Sequence, residues 1–269
     1  MFPYIHISDK INIPTYGLAF LIGFMLAVFF AVRRAVKEQF NKYDILYASF
    51  YALIGIGLGA KLFFFLSRIP NVVSRFDIYK KLWETSPAAA LDYVFGGLVF
   101  YGGLIGACLG VYIYSRQYKV ALWPMVRIYV PFVPFAHAFG RIGCFLAGCC
   151  YGVEYHGPLS VQFPLNEFSP HLASVPRFPV QLLEALLNFL CSLVLVLLVR
   201  NTKVSARRLF GIYLMYYTVA RFILEYLRGD AERGHLGILS TSQVISLFLI
   251  PVALFFIIKR EKGGCKKLP

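Results

Sequence analysis

Apolar residues gather along the chain into about seven runs, 16–32, 45–66, 94–114, 128–146, 180–199, 210–227 and 241–258, separated by stretches where lysine and arginine concentrate. Crossing the hydrocarbon core of a bilayer takes about 20 predominantly apolar residues. No water reaches that depth, so every backbone N–H and C=O must be paired inside the segment, and a helix pairs them all. The pattern predicts an all-α polytopic membrane protein of about seven transmembrane helices. Pro131, Pro134 and Pro251 fall inside runs and are expected to kink their helices rather than end them.

The polar residues between runs predict the orientation. Arg33, Arg34, Lys37 and Lys42 follow the first run, Arg116 and Lys119 the third, Arg200, Lys203, Arg207 and Arg208 the fifth, and Lys259, Arg260, Lys262, Lys266 and Lys267 the last. Basic residues collect on the cytoplasmic side of a membrane protein. Seven spans put all four clusters on one side, so the N-terminus is expected outside and the C-terminus in the cytoplasm. The other side holds the long connections, 67–93 and 147–179, where Trp83, Tyr93, Tyr151 and Tyr155 suit interfacial loops or short amphipathic helices.

Composition sharpens this picture. The chain is 59% hydrophobic and 15% charged, with a mean hydropathy of +0.67, more apolar than a soluble core requires. No polar stretch is long enough to fold apart, so 1–269 reads as a single transmembrane domain. The formal charge of +14 does not point to nucleic acid, because the cations are split among the connections rather than spread along one solvated face. Residues 1–14 lack a basic leader region and no small-residue cleavage site closes the first run, which is therefore expected to remain as a helix.

Other motifs read as packing. Gly102, Gly106 and Gly110 recur every fourth residue of the third run, a spacing that lets a second helix come close. Gly55, Gly57 and Gly59 follow no strand and so do not form a phosphate loop. Cys108 and Cys191 sit inside apolar runs and Cys265 in the basic tail, so the six cysteines make no disulfide framework. Cys144, Cys149 and Cys150 do not match the spacing of a zinc site, no histidine repeat completes one, and they are expected as small apolar fillers.

The chemistry rests on ionisable residues within the runs: Lys61, Arg127, Arg141, Glu184, Arg221 and Glu225. Each costs several kcal/mol facing lipid and belongs in the protein interior, a wet cavity or the interface. Arg127, at a cytoplasmic helix start, is expected to snorkel. At 1.5 Å per residue, Arg141 lies about 20 Å and Arg221 about 17 Å along outward-running helices. Lys61 stands near the outer end of the second helix, Glu184 opens the fifth, Tyr16 starts the first, and Tyr101 is expected about 10 Å into the third. One outer-leaflet level thus gathers cations, carboxylates and phenols. Arg221 and Glu225, four residues apart, can neutralise each other. Arg141 has no acidic neighbour within a turn, which suits a guanidinium that grips a phosphate through paired N–H donors. With Arg221 it would clamp a lipid phosphate and stabilise the charge that develops as that phosphate departs. His137 lies one turn before Arg141 on the same face and is a candidate acid–base group.

Gly140-Arg141-Ile142-Gly143-Cys144-Phe145, followed by Gly148 and Gly152, resembles the signature of the bacterial prolipoprotein diacylglyceryl transferase family. Further blocks are similar in order and spacing: Pro14-Thr15-Tyr16-Gly17, the stretch from Gly97 to Gly106 that contains Tyr101-Gly102-Gly103, Pro179-Val180-Gln181-Leu182-Leu183-Glu184, the stretch from Arg221 to Arg228, and Leu239-Ser240-Thr241-Ser242-Gln243. The resemblance implies a seven-helix, multi-pass enzyme of the bacterial inner membrane. Its partners would be phosphatidylglycerol, the lipobox region of a prolipoprotein signal peptide, and membrane lipids. It would move a diacylglyceryl group from phosphatidylglycerol to the lipobox cysteine thiol and release glycerol phosphate. No cofactor and no metal are implied. By the same resemblance Arg141 and Arg221 would hold the leaving phosphate, with Tyr16, Lys61, Gly102, Gly103, Gln181, Glu184 and Glu225 shaping the substrate pocket.

The sequence departs from the family at four of these places. The best-known members carry histidine where Tyr101 stands, asparagine where Cys144 stands, a carboxylate where Cys149 stands and arginine where Lys61 stands. A phenol with a pKa of about 10 is a poor base at neutral pH, so His137 is the expected substitute as proton acceptor. Two rival readings are a related membrane protein that acts on another lipid or acceptor, and an anion or lipid transporter.

Overall fold

The structure, a computed structural model, describes residues 3–8, 11–164, 174–201, 204–229, 235–236 and 239–259. Lys203, Arg260, Lys262, Lys266 and Lys267 of the basic clusters, together with Cys265, lie outside the described residues, as do 165–173 of the second long connection. The chain forms two compact units, one from Met1–Phe40 with Trp123–Pro269 and one from Asn41–Leu122.

In the first unit a hairpin of β1 (Tyr4–Ser8) and β2 (Ile11–Pro14) leads into α1 (Thr15–Lys37). Thr15, Ala19, Gly23, Ala27, Ala31 and Ala35 are its buried residues. They are small and four apart, so one face of α1 lies close against α7 (Val133–Ala147), where Gly23 abuts Phe139 and Gly143 abuts Ala19. The helix that carries α7 starts earlier than its apolar run: α6 (Leu122–Tyr129) passes through one 3-10 turn, Val130–Phe132, into α7. Pro131 and Pro134 account for that turn, since neither has an N–H to continue the α-helical ladder. The Ser192 hydroxyl donates to the Pro131 carbonyl at 2.7 Å.

Three more helices complete this unit. α8 (Val180–Val199) packs on α7, and α9 (Ala206–Leu224) packs on α10 (Thr241–Ile258). A 3-10 turn, Glu225–Leu227, and a second hairpin of β3 (His235–Leu236) and β4 (Leu239–Ser240) join the last two. The two hairpins qualify the all-α expectation. Ser240 opens α10 with a reciprocal cap, accepting from the Gln243 N–H at 3.2 Å while Gln243 Oε1 accepts from its own at 3.0 Å. Val130, Cys191, Leu195, Val199 and Leu209 form the buried apolar centre.

The second unit holds α2 (Lys42–Ser74), α3 (Phe76–Thr85), α4 (Pro87–Phe95) and α5 (Phe100–Gln117). The glycine stripe does the work expected of it. A Cβ at Gly55 would run into the Gly106 carbonyl, one at Gly59 into that of Gly102, and one at Gly110 into that of Tyr51. Two boundaries differ from the apolar pattern. α2 continues through Pro70 to Ser74 instead of ending near 66. The third run does not make one helix from 94, because α4 stops at Phe95 and Gly96–Val99 intervene. Tyr101 is therefore the second residue of α5 rather than a position well inside a helix.

Among the described residues, five helical segments are long and apolar enough to cross a membrane: α1, α2, the continuous Leu122–Ala147, α8 and α10. α9 carries Arg207, Arg208 and Arg221, and α5 dilutes its apolar residues with glycine and tyrosine. Large apolar side chains point outward along the helices, among them Met25, Phe29, Leu58, Leu186 and Phe248. In water such a surface would aggregate; against acyl chains it is the favourable one. The protein is an all-helical, multi-pass membrane protein apart from its short hairpins.

Candidate functional site

The ionisable residues of the first unit meet where α7, α8 and α9 converge. His137 and Arg141, four apart on α7, present one face, and Glu184, in the second turn of α8, meets both. Arg141 Nε lies 2.9 Å from Glu184 Oε1 and donates to His137 Nε2 at 3.3 Å. His137 Nε2 is 3.6 Å from the same carboxylate oxygen. An Nε2 that accepts from a guanidinium belongs to a neutral ring with its proton on Nδ1. Arg141 thus has a carboxylate partner that local spacing did not reveal. The expectation of an unpaired guanidinium is corrected: Glu184 comes from another helix and takes the Nε edge.

Arg221, at the end of α9, is 5% exposed. Its Nη2 pairs with Glu225 Oε2 at 2.8 Å and donates to Ser242 Oγ at 3.0 Å. The pair with Glu225 follows the spacing; Ser242 was legible only as part of the block that opens the last helix. Arg221 Nη1 is buried and has no hydrogen-bond partner among the described residues, and the same holds for Glu184 Oε2, Gln181 Oε1 and Asn188 Oδ1. Burying a polar atom without a partner costs about 1–3 kcal/mol. Arg221, Glu184 and Asn188 carry three of these atoms and line one cavity, which marks a place built to receive polar groups.

That place is a small cavity lined by His137, Glu184, Asn188, Tyr216, Tyr217, Ala220, Arg221 and Leu224. Next to it, and sharing Tyr216, Ala220 and Leu224, lies a groove of about 520 Å³ between α8 and α9, walled by Leu183, Leu187, Met215, Val219, Ile223 and Leu227. The first is lined mainly by polar side chains and the second almost wholly by apolar ones. Asn188, Tyr216 and Tyr217 were missed in the sequence, since amide and phenol groups inside an apolar run carry no charge signal.

Gln181, 1% exposed, donates from Nε2 to the Cys149 carbonyl at 2.8 Å. It ties α8 to the turn that follows α7, where Gly148 is left-handed at φ 72°. That reversal gathers Cys144, Cys149 and Cys150, whose Sγ atoms all lie within 4.8 Å of one another. The expectation of separate apolar fillers does not describe this cluster. Tyr16 stands in the first turn of α1, its backbone against Gly143, two residues after Arg141.

Lys61, Tyr101, Gly102 and Gly103 belong to the Asn41–Leu122 unit. There the Lys61 ammonium donates to the Phe95 carbonyl at 2.5 Å, satisfying the end of α4. Gly102 lies against the Gly59 carbonyl and Phe63, and Gly103 makes ordinary contact with Ile56. Arg127 caps the end of α8, donating to the carbonyls of Val204, of Val199 at 2.9 Å and of Asn201 at 3.3 Å.

Comparison with known proteins gives a consistent result. The family described as prolipoprotein diacylglyceryl transferase matches residues 3–259. The phosphatidylglycerol–prolipoprotein diacylglyceryl transferase of Clostridium tetani is 35% identical over 245 residues, 91% of this chain and 92% of that protein. The second such transferase of Clostridium perfringens is 31% identical over 254 residues, 94% and 93% of the two chains. That of Idiomarina loihiensis is 29% identical over 260 residues, 96% and 92%.

Proposed function

The chain belongs to the prolipoprotein diacylglyceryl transferase family, and from that premise we propose that it transfers the diacylglyceryl group of phosphatidylglycerol to the lipobox cysteine thiol of exported prolipoproteins. It is a transferase of lipoprotein biogenesis, and its two substrates are the lipid and the signal-peptide region of the precursor. The observation that carries the site assignment is the adjoining pair of cavities: a polar one with a buried arginine nitrogen still unspent, and an apolar groove sharing its wall. A phospholipid has the same two parts.

In this reading the lipid phosphate approaches the polar cavity, which at about 10 Å³ has room for one water-sized group and must widen to admit it, and its acyl chains lie along the α8–α9 groove. Arg221 meets the phosphate through Nη1, and Arg141, held by Glu184 on its Nε edge, offers its terminal nitrogens. The precursor thiolate attacks the glycerol carbon that bears the phosphate. The new C–S bond forms as the C–O bond breaks, and the electron pair leaves on the phosphate oxygen of glycerol phosphate. Guanidinium groups already fixed by carboxylates stabilise that charge without reorganising. The thiol has an ordinary pKa of about 8.5 and reacts only as thiolate, so a proton must be taken. Neutral His137, beside both Arg141 and Glu184, is the acceptor in this scheme. Tyr16, Gln181 and Glu225 shape the pocket; Lys61, Tyr101, Gly102 and Gly103, in the Asn41–Leu122 unit, are assigned to substrate by the family resemblance alone. No step is routed through a cofactor.

We extend the proposal to topology. Residues 1–269 act as a single transmembrane domain of seven spans, α5 and α9 joining the five apolar segments, in the bacterial inner membrane with the N-terminus outside and the C-terminus cytoplasmic. The segments 67–93 and 147–179 lie at the outer interface. The deciding experiment incubates the purified protein with phosphatidylglycerol vesicles and a lipobox peptide, then weighs the peptide by mass spectrometry. Addition of the diacylglyceryl mass to its cysteine is the expected result. An unmodified peptide, with a labelled anion or lipid crossing the vesicle wall instead, would replace the reading with transport.

A further inference from the structure

The turn after α7 gathers three sulfur donors without any hydrogen bond of the helical ladder requiring it. Cys149 N–H closes on the Cys144 carbonyl at 3.0 Å and Gly148 N–H on that of Phe145 at 3.2 Å. Those bonds need only backbone. Gly148 reverses the chain at φ 72° and Cys150 holds φ 59°, a region that residues other than glycine seldom occupy. The outcome is that Cys144, on the last turn of the helix, faces Cys149 and Cys150 with all three Sγ atoms within 4.8 Å.

That spacing has a chemical meaning. Three sulfurs bound to one ion at about 2.3 Å stand about 4 Å apart. Thiolates are soft donors and select d10 ions such as zinc(II) and copper(I) over calcium or magnesium. Cys144 is buried, Cys150 half-buried and Cys149 exposed, so the cluster has a protected floor and an open side. Neighbouring cations suit an anionic thiolate set: Arg141 lies one turn before Cys144, and Arg228 pairs through its backbone with Gly152, two residues after Cys150. Gln181 buttresses the turn from below. Its Nε2 holds the Cys149 carbonyl, and its buried Oε1 remains an acceptor with no partner among the described residues.

We propose that Cys144, Cys149 and Cys150 form a three-thiolate site for a thiophilic d10 metal ion, with zinc(II) as the first candidate. Zinc prefers four ligands, so the fourth position is left to a small external donor such as water, on the exposed Cys149 side. Binding releases the thiol protons to solvent and forms three metal–sulfur bonds, with no change of oxidation state. Bound metal would clamp the turn that Gln181 ties to α8. The site stands independently of the transfer reaction and is tested without it.

The full-length protein, purified in detergent under a phosphine reductant and without oxygen, is equilibrated with zinc(II), washed with a weak chelator and analysed for metal. One equivalent per chain is expected. Cadmium(II) in place of zinc should raise a thiolate-to-metal charge-transfer band in the ultraviolet, and the loaded protein should show fewer maleimide-reactive thiols than the metal-free one, the loss falling on the exposed Cys149 and the half-buried Cys150. Cys144→Ser, Cys149→Ser and Cys150→Ser should each lose the band, while Cys108→Ser keeps it. The thiol count on the unmutated protein guards against variants that merely misfold. Metal uptake no greater than that of the triple serine variant would overturn the proposal. So would unchanged thiol reactivity on loading, or a disulfide among the three whose reduction restores no metal binding.

Discussion

The two ends of α8 each gather arginine and glutamate, and they differ in what their charges are spent on. At the C-terminal end Arg127 donates to the carbonyls of Val204, Val199 and Asn201. Arg34 beside it pairs with Glu38 and reaches the Val199 carbonyl at 3.3 Å. The Val199 carbonyl is one of those a helix end leaves without a partner, and cations there also complement the helix dipole. At the N-terminal end Arg141 and Arg221 pair with Glu184 and Glu225, and Arg221 Nη1, Glu184 Oε2 and Asn188 Oδ1 remain over on residues that line a cavity. At the C-terminal end Arg34 Nε is left over among the described residues. Charge inside a membrane protein is therefore an incomplete guide to function. What separates a structural arginine from one that awaits a ligand is its unspent hydrogen-bonding capacity.

The sharpest way to break this comparison is to remove a guanidinium at the cavity. Arg221→Ala and Arg141→Ala are each expected to slow thiol alkylation of a lipobox peptide by about 100-fold or more, the usual cost of losing a donor to developing charge. Arg221→Lys should recover little, because an ammonium cannot pair with Glu225 and Ser242 while presenting a second planar donor. Full transfer activity in either alanine variant, measured by mass spectrometry of the peptide, would place the phosphate elsewhere. Next in size is His137→Ala, expected to slow transfer by about 100-fold if the ring takes the thiol proton. Raising the pH should then restore much of the rate, as solvent deprotonates the thiol unaided. A His137→Ala variant that keeps full activity at neutral pH removes histidine from the chemistry.

How much of this was legible before the fold was known follows from what spacing along a chain can encode. Arg141 with His137 and Arg221 with Glu225 are four apart, and a helix places such pairs on one face whatever its neighbours do. Glu184 as the partner of Arg141 was not readable, since hydropathy gives depth along a span and says little about which way a residue faces across a bundle. The cysteine cluster escaped for a different reason. Its geometry depends on the left-handed Gly148 reversing the chain, whereas counting residues treats Cys144 and Cys149 as if they continued one helix. The late start of α5 at Phe100 reflects Gly96 and Gly97, whose low helix propensity outweighs the unbroken apolar run around them. Family resemblance supplied the substrates, which no spacing in the chain encodes.

A more modest change tests the cavity from its acidic side. Glu184→Gln keeps the shape of the side chain and removes its charge, leaving Arg141 buried without its ion pair. Breaking a buried pair in this way costs about 3–5 kcal/mol, so thermal unfolding in detergent should begin well below that of the parent chain. Transfer should fall together with it, because the Nε edge of Arg141 no longer has a fixed partner. Equal stability of the two proteins would mean that the 2.9 Å contact contributes nothing, and that Arg141 is held by His137 alone.

The smallest effect is expected at the opposite end of the same helix, and it is the control on which the comparison depends. Arg127→Met preserves the apolar stem and deletes the cap on Val199, Asn201 and Val204. Hydrogen bonds from a charged donor contribute about 1.5–3 kcal/mol net, and some of this is recovered because the freed carbonyls lie near an end that water can reach. A loss of about 1–2 kcal/mol in unfolding free energy is expected on that balance, with no change in the rate of transfer per folded molecule. If Arg127→Met instead abolished transfer while leaving the melting temperature untouched, unspent capacity would be the wrong criterion. Both arginine clusters would then belong to the working machinery, and the distinction between capped carbonyl and open cavity would have no functional content.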